Sequence, residues 1–150
     1  MSNHTPKAST DQTIASFIEL AGCSVDQRIL LAGAGTPDRI PDWRRRGYRR
    51  AATMATSGLP RGQYDVAFVE WRQHSIKALE TLLDWLVEFL SPQGVLVICI
   101  DEAGDTAPAR RKLRSVIERL GFRTGTGRHV ESGFAMSARR LAASVQIAAA

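Results

Sequence analysis

Leu82-Leu83-Asp84-Trp85-Leu86-Val87-Glu88-Phe89-Leu90-Ser91-Pro92-Gln93-Gly94-Val95-Leu96-Val97-Ile98-Cys99-Ile100 changes its period partway along, and that change decides the fold. Upstream, Ile76, Leu79, Leu82, Leu83, Leu86 and Leu90 recur at helical spacing, which predicts an amphipathic helix of about four turns. Ser91-Pro92-Gln93-Gly94 is turn chemistry that closes it. From Val95 to Ile100 every position is apolar, the pattern of a strand buried on both faces. Such a strand needs helices on both sides, so the stretch predicts a layered α/β domain.

The same alternation extends in both directions. Ile14, Phe17, Ile18 and Ala21 mark a helix capped near Thr10 or Asp11 and stopped by Gly22. Arg28-Ile29-Leu30-Leu31-Ala32 reads as a buried strand entering the Gly33-Ala34-Gly35 loop, and an Arg-rich helix over Pro37 to Arg46 follows, with Pro41 early in it. A short strand at Arg50 to Ala55, a turn at Ser57 to Gly62 and a clearer strand at Tyr64 to Trp71 come next. After the central strand, Ala109, Leu113, Val116, Ile117 and Leu120 form the stripe of another helix, with Pro108 suited to its first turn and Gly121 ending it. Phe122 to Arg140 has no helical period and fits two strands joined as a hairpin. The expected architecture is a three-layer α/β sandwich with a mostly parallel sheet and a C-terminal antiparallel hairpin. Its expected organisation is a flexible tail at 1–10, one domain at 11–141 and an Ala-rich tail at 142–150.

Composition bounds the function. A chain of 150 residues is enough for one core without staples. Cys23 and Cys99 have neither metal-ligand spacing nor a Cys-x-x-Cys pair, which excludes a cysteine metal site and predicts a reducing, cytoplasmic setting. The polar start lacks a signal-peptide core, and Val95 to Ile100 is far too short to span a bilayer. A soluble protein without a membrane partner is expected. The net charge of +5 admits an anionic partner.

Four stretches resemble the class I methyltransferases, the Rossmann-like family that uses S-adenosylmethionine. They are Leu30-Leu31-Ala32-Gly33-Ala34-Gly35, Leu59-Pro60-Arg61-Gly62-Gln63-Tyr64-Asp65-Val66-Ala67, Leu82 to Ile98, and Leu120-Gly121-Phe122 with the hairpin behind it. The third is the most specific, since it resembles the family's helix, Pro-Gly-Gly turn and fifth strand. The resemblance implies a cofactor site for S-adenosylmethionine at Gly33, Ala34, Gly35 and Thr36, where glycines let a ligand approach backbone amides at the carboxyl end of a parallel strand. It also implies substrate or catalytic groups at the end of the family's fourth strand, here Glu70 and Trp71. A carboxylate there can act as base or orient an amine.

The sequence departs from the family pattern at definite places. Leu31 stands where the first strand usually carries an acid, Pro37 where a third glycine would fall, and residues 49–58 hold no acid for the ribose hydroxyls. The crossover before Asp65 is also too short for the usual strand and helix, so residues 50–55 stand for either the second or the third family strand. These departures support an alternative: a non-catalytic methyltransferase-like module that binds protein or nucleic acid. Arg44, Arg45, Arg46, Arg49 and Arg50, interleaved with Trp43 and Tyr48, would supply guanidinium groups for phosphates and rings for bases, or simply a solvated helix face. Arg110, Arg111, Lys112, Arg114 and Arg119 read first as the exposed face of their helix. His74, Asp101 and Glu102 lie near the strand ends, where capping and solvation compete with any role in a cleft. A receiver-like flavodoxin fold lacks its acidic pair, since Ala32 and Gly33 follow the first strand.

Overall fold

A computed structural model describes residues 6–33, 36–53, 60–72, 75–101, 103, 105–130 and 133–141. Along the chain they form α1 (Pro6–Ala21), β1 (Ile29–Gly33), α2 (Thr36–Arg45), β2 (Ala51–Thr53), β3 (Tyr64–Trp71), α3 (Ile76–Leu86), a 3-10 turn (Val87–Phe89), β4 (Leu90–Asp101), α4 (Ala107–Arg119), β5 (Phe122–Val130) and β6 (Gly133–Arg140). The strands make one sheet in the order β2-β1-β3-β4-β6-β5. Strands β2, β1, β3 and β4 pair in parallel, whereas β6 runs antiparallel to both β4 and β5. The fold is therefore α/β, with a parallel centre and an antiparallel C-terminal hairpin.

Because side chains alternate across a strand, the central strands divide their apolar residues between two cores. Leu30, Ala67, Val69, Leu96, Ile98 and Ile100 meet Leu79, Leu83 and Leu86 of α3 and Leu113, Val116 and Ile117 of α4. Ile29, Leu31, Val66, Phe68, Val95 and Val97 meet Ile14 and Phe17 of α1 and Trp43 of α2. The three layers follow from that division. Helix starts are set locally: Ser75 Oγ accepts from Ala78 N, and Thr106 Oγ1 accepts from Ala109 N, each satisfying an amide that the first turn leaves open.

Three boundaries differ from the sequence expectation. Helix α1 starts at Pro6, so residues 6–10 are helical rather than tail; proline suits a first turn because its missing N–H would have no partner there. Residues 1–5 and the expected tail at 142–150 lie outside the described residues. Helix α3 ends at Leu86, and Ser91 to Gly94 belong to β4 instead of forming a separate turn. Tyr64 pairs with Leu90 and Val66 with Val95, so the four residues between face Asp65 alone as a local bulge. Strand β2 lies directly beside β1 at the edge of the sheet, with Ile29 opposite Ala51.

Candidate functional site

Parallel strands bring their carboxyl ends to one edge of the sheet, and the loops that leave that edge are where ligands of open α/β sheets sit. Gly33 ends β1 there, opposite Glu70 of β3. Its φ is +98°, and a Cβ at this position would lie 2.0 Å from the Glu70 carbonyl oxygen. Only glycine fits, both because the left-handed backbone disfavours other residues and because the Glu70 peptide occupies the space. The chain then enters α2 at Thr36. Ala34 and Gly35 lie outside the described residues, and of Thr36 only its place in the helix is described.

Three residues into α2, Arg39 reaches back to β3. Its Nε donates to Glu70 Oε1 at 2.6 Å and its Nη2 to Glu70 Oε2 at 2.8 Å, a bidentate pair that sequence reasoning missed. The two side chains are 13% and 7% exposed. Burial pushes the Glu70 pKa up from the ordinary carboxylate range, while Arg39 and, more weakly, Arg72 pull against it. Arg72 Nη2 stands 3.9 Å from Glu70 Oε2. No spacing rule pairs a helix arginine with a strand carboxylate 31 positions away, so only the fold could reveal the contact.

The pair closes one end of a cavity lined by Thr13, Ile14, Phe17, Leu31, Trp43 and Phe68. At about 10 Å³ the cavity has space for about one water. Trp43 fills this side: its ring packs 4.8 Å from Phe68 and 5.2 Å from Tyr48, centroid to centroid. Trp71 points to the other face of the sheet and packs beside the α3 and α4 core. Its Nε1–H is enclosed and has no hydrogen-bond partner among the described residues. Thus Glu70 and Trp71, though adjacent in sequence, face opposite layers. Asp101 ends β4 at the same edge, while His74 and Glu102 lie outside the described residues.

The hairpin brings Arg110 of α4 into a cluster that the sequence did not foresee. Arg110 Nε and Nη2 donate to Asp105 at 2.5 and 2.7 Å, and the guanidinium carbon sits 3.7 Å from the Phe134 ring centroid. His129 Nε2 is 3.4 Å from Arg110 Nη2. Phe134 pairs with Ile100, so this cluster also lies at the carboxyl edge. It ties α4 to the hairpin, so Arg110 is half-buried where an exposed face was expected, while Arg111, Lys112, Arg114 and Arg119 are exposed.

At the opposite, amino edge, Arg44, Arg45, Arg46, Arg49 and Arg50 are all exposed. Arg45 pairs with Asp42. The aromatics read with them are not available for stacking on bases: Trp43 is 1% and Tyr48 4% exposed. Their spacing brings them under α2 into the core, which corrects that part of the sequence reading. Among the described residues there is no helix long and apolar enough to cross a membrane and no cluster of His, Cys, Asp or Glu suited to a metal ion.

With a six-stranded α/β sheet and a glycine ending its first parallel strand, the chain has the fold of S-adenosylmethionine-dependent methyltransferases. A methyltransferase of that kind from Aquifex aeolicus is similar over 91% of this chain and 94% of its own, with TM-score 0.69 and 13% identity. The magnesium protoporphyrin IX methyltransferase from Synechocystis PCC 6803, solved with bound cofactor, is similar over 94% of this chain and 87% of its own, with TM-score 0.64 and 11% identity. The ribosomal protein L11 methylase from Lactobacillus delbrueckii subsp. bulgaricus is similar over 87% and 79%, with TM-score 0.61 and 12% identity. No family model matches the sequence, and no curated protein matches it. At such identities the likeness shows the fold, and function must be argued from the site.

Proposed function

We propose that the chain is a divergent methyltransferase-like protein that binds S-adenosylmethionine, or its demethylated product, at the carboxyl edge of β1 and β3. The observation that carries this reading is the left-handed Gly33 at the end of β1, set against the Glu70 peptide and three positions before the first residue of α2, on a fold shared with a structure that holds this cofactor. A helix N-terminus favours a carboxylate, although Pro37 brings no N–H to this one, so Gly33, Ala34, Gly35 and Thr36 would face the amino-acid end of the ligand. The ribose end fits less well: Ala51-Ala52-Thr53 on β2 offers no carboxylate to its hydroxyls.

When bound, the cofactor supplies an electrophilic methyl group. The residues of this chain hold and orient. Both Glu70 oxygens already accept from Arg39, which suits a strut that fixes the start of α2 against β3 more than it suits a base. Trp71 keeps an enclosed indole N–H on the opposite face of the sheet from Glu70, a donor that reaches a ligand only if the side chain turns out of the α3 and α4 layer. The missing ribose carboxylate and the paired Glu70 favour a second reading, a non-catalytic module that acts through its arginine-rich surface.

Isothermal calorimetry with S-adenosylmethionine and with its demethylated product tests the proposal. One-site heat with either ligand is expected. Silence up to millimolar ligand overturns cofactor binding and leaves the second reading.

A further inference from the structure

We infer that the amino edge of the sheet is an interface for the phosphate backbone of nucleic acid, separate from the carboxyl-edge site. The groove there is built by strand register. Ile29 pairs with Ala51, and Ile29 N donates to Arg50 O at 3.2 Å. Arg28 and Arg50 therefore enter neighbouring strands side by side, with backbones about 4.8 Å apart. Their side chains, with Ala51, Ala52 and Tyr64, line an open groove of about 330 Å³. Both arginines line this one open groove, Asp26 offsets only part of the charge on Arg50, and an anion lying between the two would add a partner for each. Arginine also presents a planar fork that matches phosphate oxygens.

We take the ligand as extended rather than a single phosphate, because Arg44, Arg46 and Arg49, all exposed, precede the groove residue Arg50 along the chain, while Asp42 is taken up by Arg45. Attraction to the carbonyls at a helix C-terminus accounts for Arg44 and Arg45, which are in the last turn. It does not account for Arg28, Arg49 and Arg50. A membrane surface fits this edge poorly. Among the described residues the exposed large apolar side chains are Val25, Trp85 and Leu141, and of these Val25 packs beside Gly47 in the basic loop. One valine is a weak membrane anchor. Since Trp43 and Tyr48 are buried, bases find no stacking platform, so recognition runs through phosphates and is independent of sequence.

The test is fluorescence anisotropy of the full chain with labelled duplex DNA, single-stranded RNA and a scrambled-sequence RNA across a salt series. Binding that weakens linearly in log–log form with salt, equal for the two RNA sequences, is expected. Each phosphate contact removed lowers the duplex slope by about 0.9, so Arg28→Ala with Arg50→Ala lowers it by about 1.8. Arg46→Glu with Arg49→Glu, at exposed positions, lowers it at least as much and keeps the test decisive if the groove variant fails to fold. Arg111→Ala with Arg114→Ala, on α4, leaves the slope unchanged. The inference is overturned by absent binding, by slopes that ignore the amino-edge variants, or by equal loss in the α4 control. Binding to anionic phosphatidylserine vesicles without binding to any oligonucleotide also overturns it. None of these outcomes depends on S-adenosylmethionine, so this inference and the cofactor proposal fail separately.

Discussion

Replacing Arg39 by methionine removes one partner of a bidentate ion pair whose side chains are 13% and 7% exposed. Leaving a buried carboxylate unpaired costs about 3–5 kcal/mol, and Arg72 at 3.9 Å supplies some compensation, which places the expected loss near the lower end, about 3 kcal/mol. For a domain of this size each kcal/mol shifts Tm by about 2–4 °C, so a fall of about 6–12 °C is expected in calorimetric melting. The loss has a pH signature. A folded-state pKa above the ordinary 4.5 means that the folded protein holds the Glu70 proton more tightly than the unfolded chain. Stability from that group is then fullest below about pH 4.5 and declines as pH rises through the folded value. Without Arg39 the folded value moves higher still, so the deficit of Arg39→Met relative to the parent widens from acid to neutral pH. Pairing Arg39→Met with Glu70→Leu should recover most of the loss, because an apolar replacement of similar shape carries no buried charge. A single variant that loses less than about 1 kcal/mol, as an exposed ion pair would, refutes the strut. A double variant no more stable than the single one refutes it too.

Three further expectations follow from particular contacts. Gly33→Ala should cost more than the roughly 1–2 kcal/mol of a left-handed residue, read as a lower urea midpoint, since its Cβ meets the Glu70 carbonyl at 2.0 Å; an unchanged midpoint contradicts this packing. Tyr48, desolvated under α2, is pushed up to about 12, so its phenolate absorbance should appear late in an alkaline titration. As its folded pKa lies above the ordinary 10, its contribution to stability is complete below about pH 10 and falls toward pH 12, so Tyr48→Phe should reduce the alkaline slope, with Tyr64 and Cys23, whose values are also raised, supplying the remainder. Thr106→Ala, which deletes the acceptor for Ala109 N, should cost about 1 kcal/mol in the same denaturation assay, and no change would mean that water replaces the cap.

The sequence by itself determined the layers. Val95 to Ile100 has no polar face, so helices had to cover both sides, and the periodic stripes of Ile76 to Leu86 and Leu113 to Ile117 supplied two of them. The hairpin was legible from the loss of helical period after Gly121. These are local properties, fixed by which side chains alternate or recur. The candidate site was legible only in outline, as a glycine at the end of one strand and an acid at the end of another. Tertiary structure decided the rest. It set Gly33 against the Glu70 peptide and brought Arg39 to Glu70 from another element. It also buried Trp43 and Tyr48 that an Arg-rich context suggested were exposed. The reason is physical: a burial pattern repeats every two or 3.6 residues and can be read along the chain. An ion pair across 31 positions, or two arginines set side by side by strand register, exists only once the sheet has chosen its order.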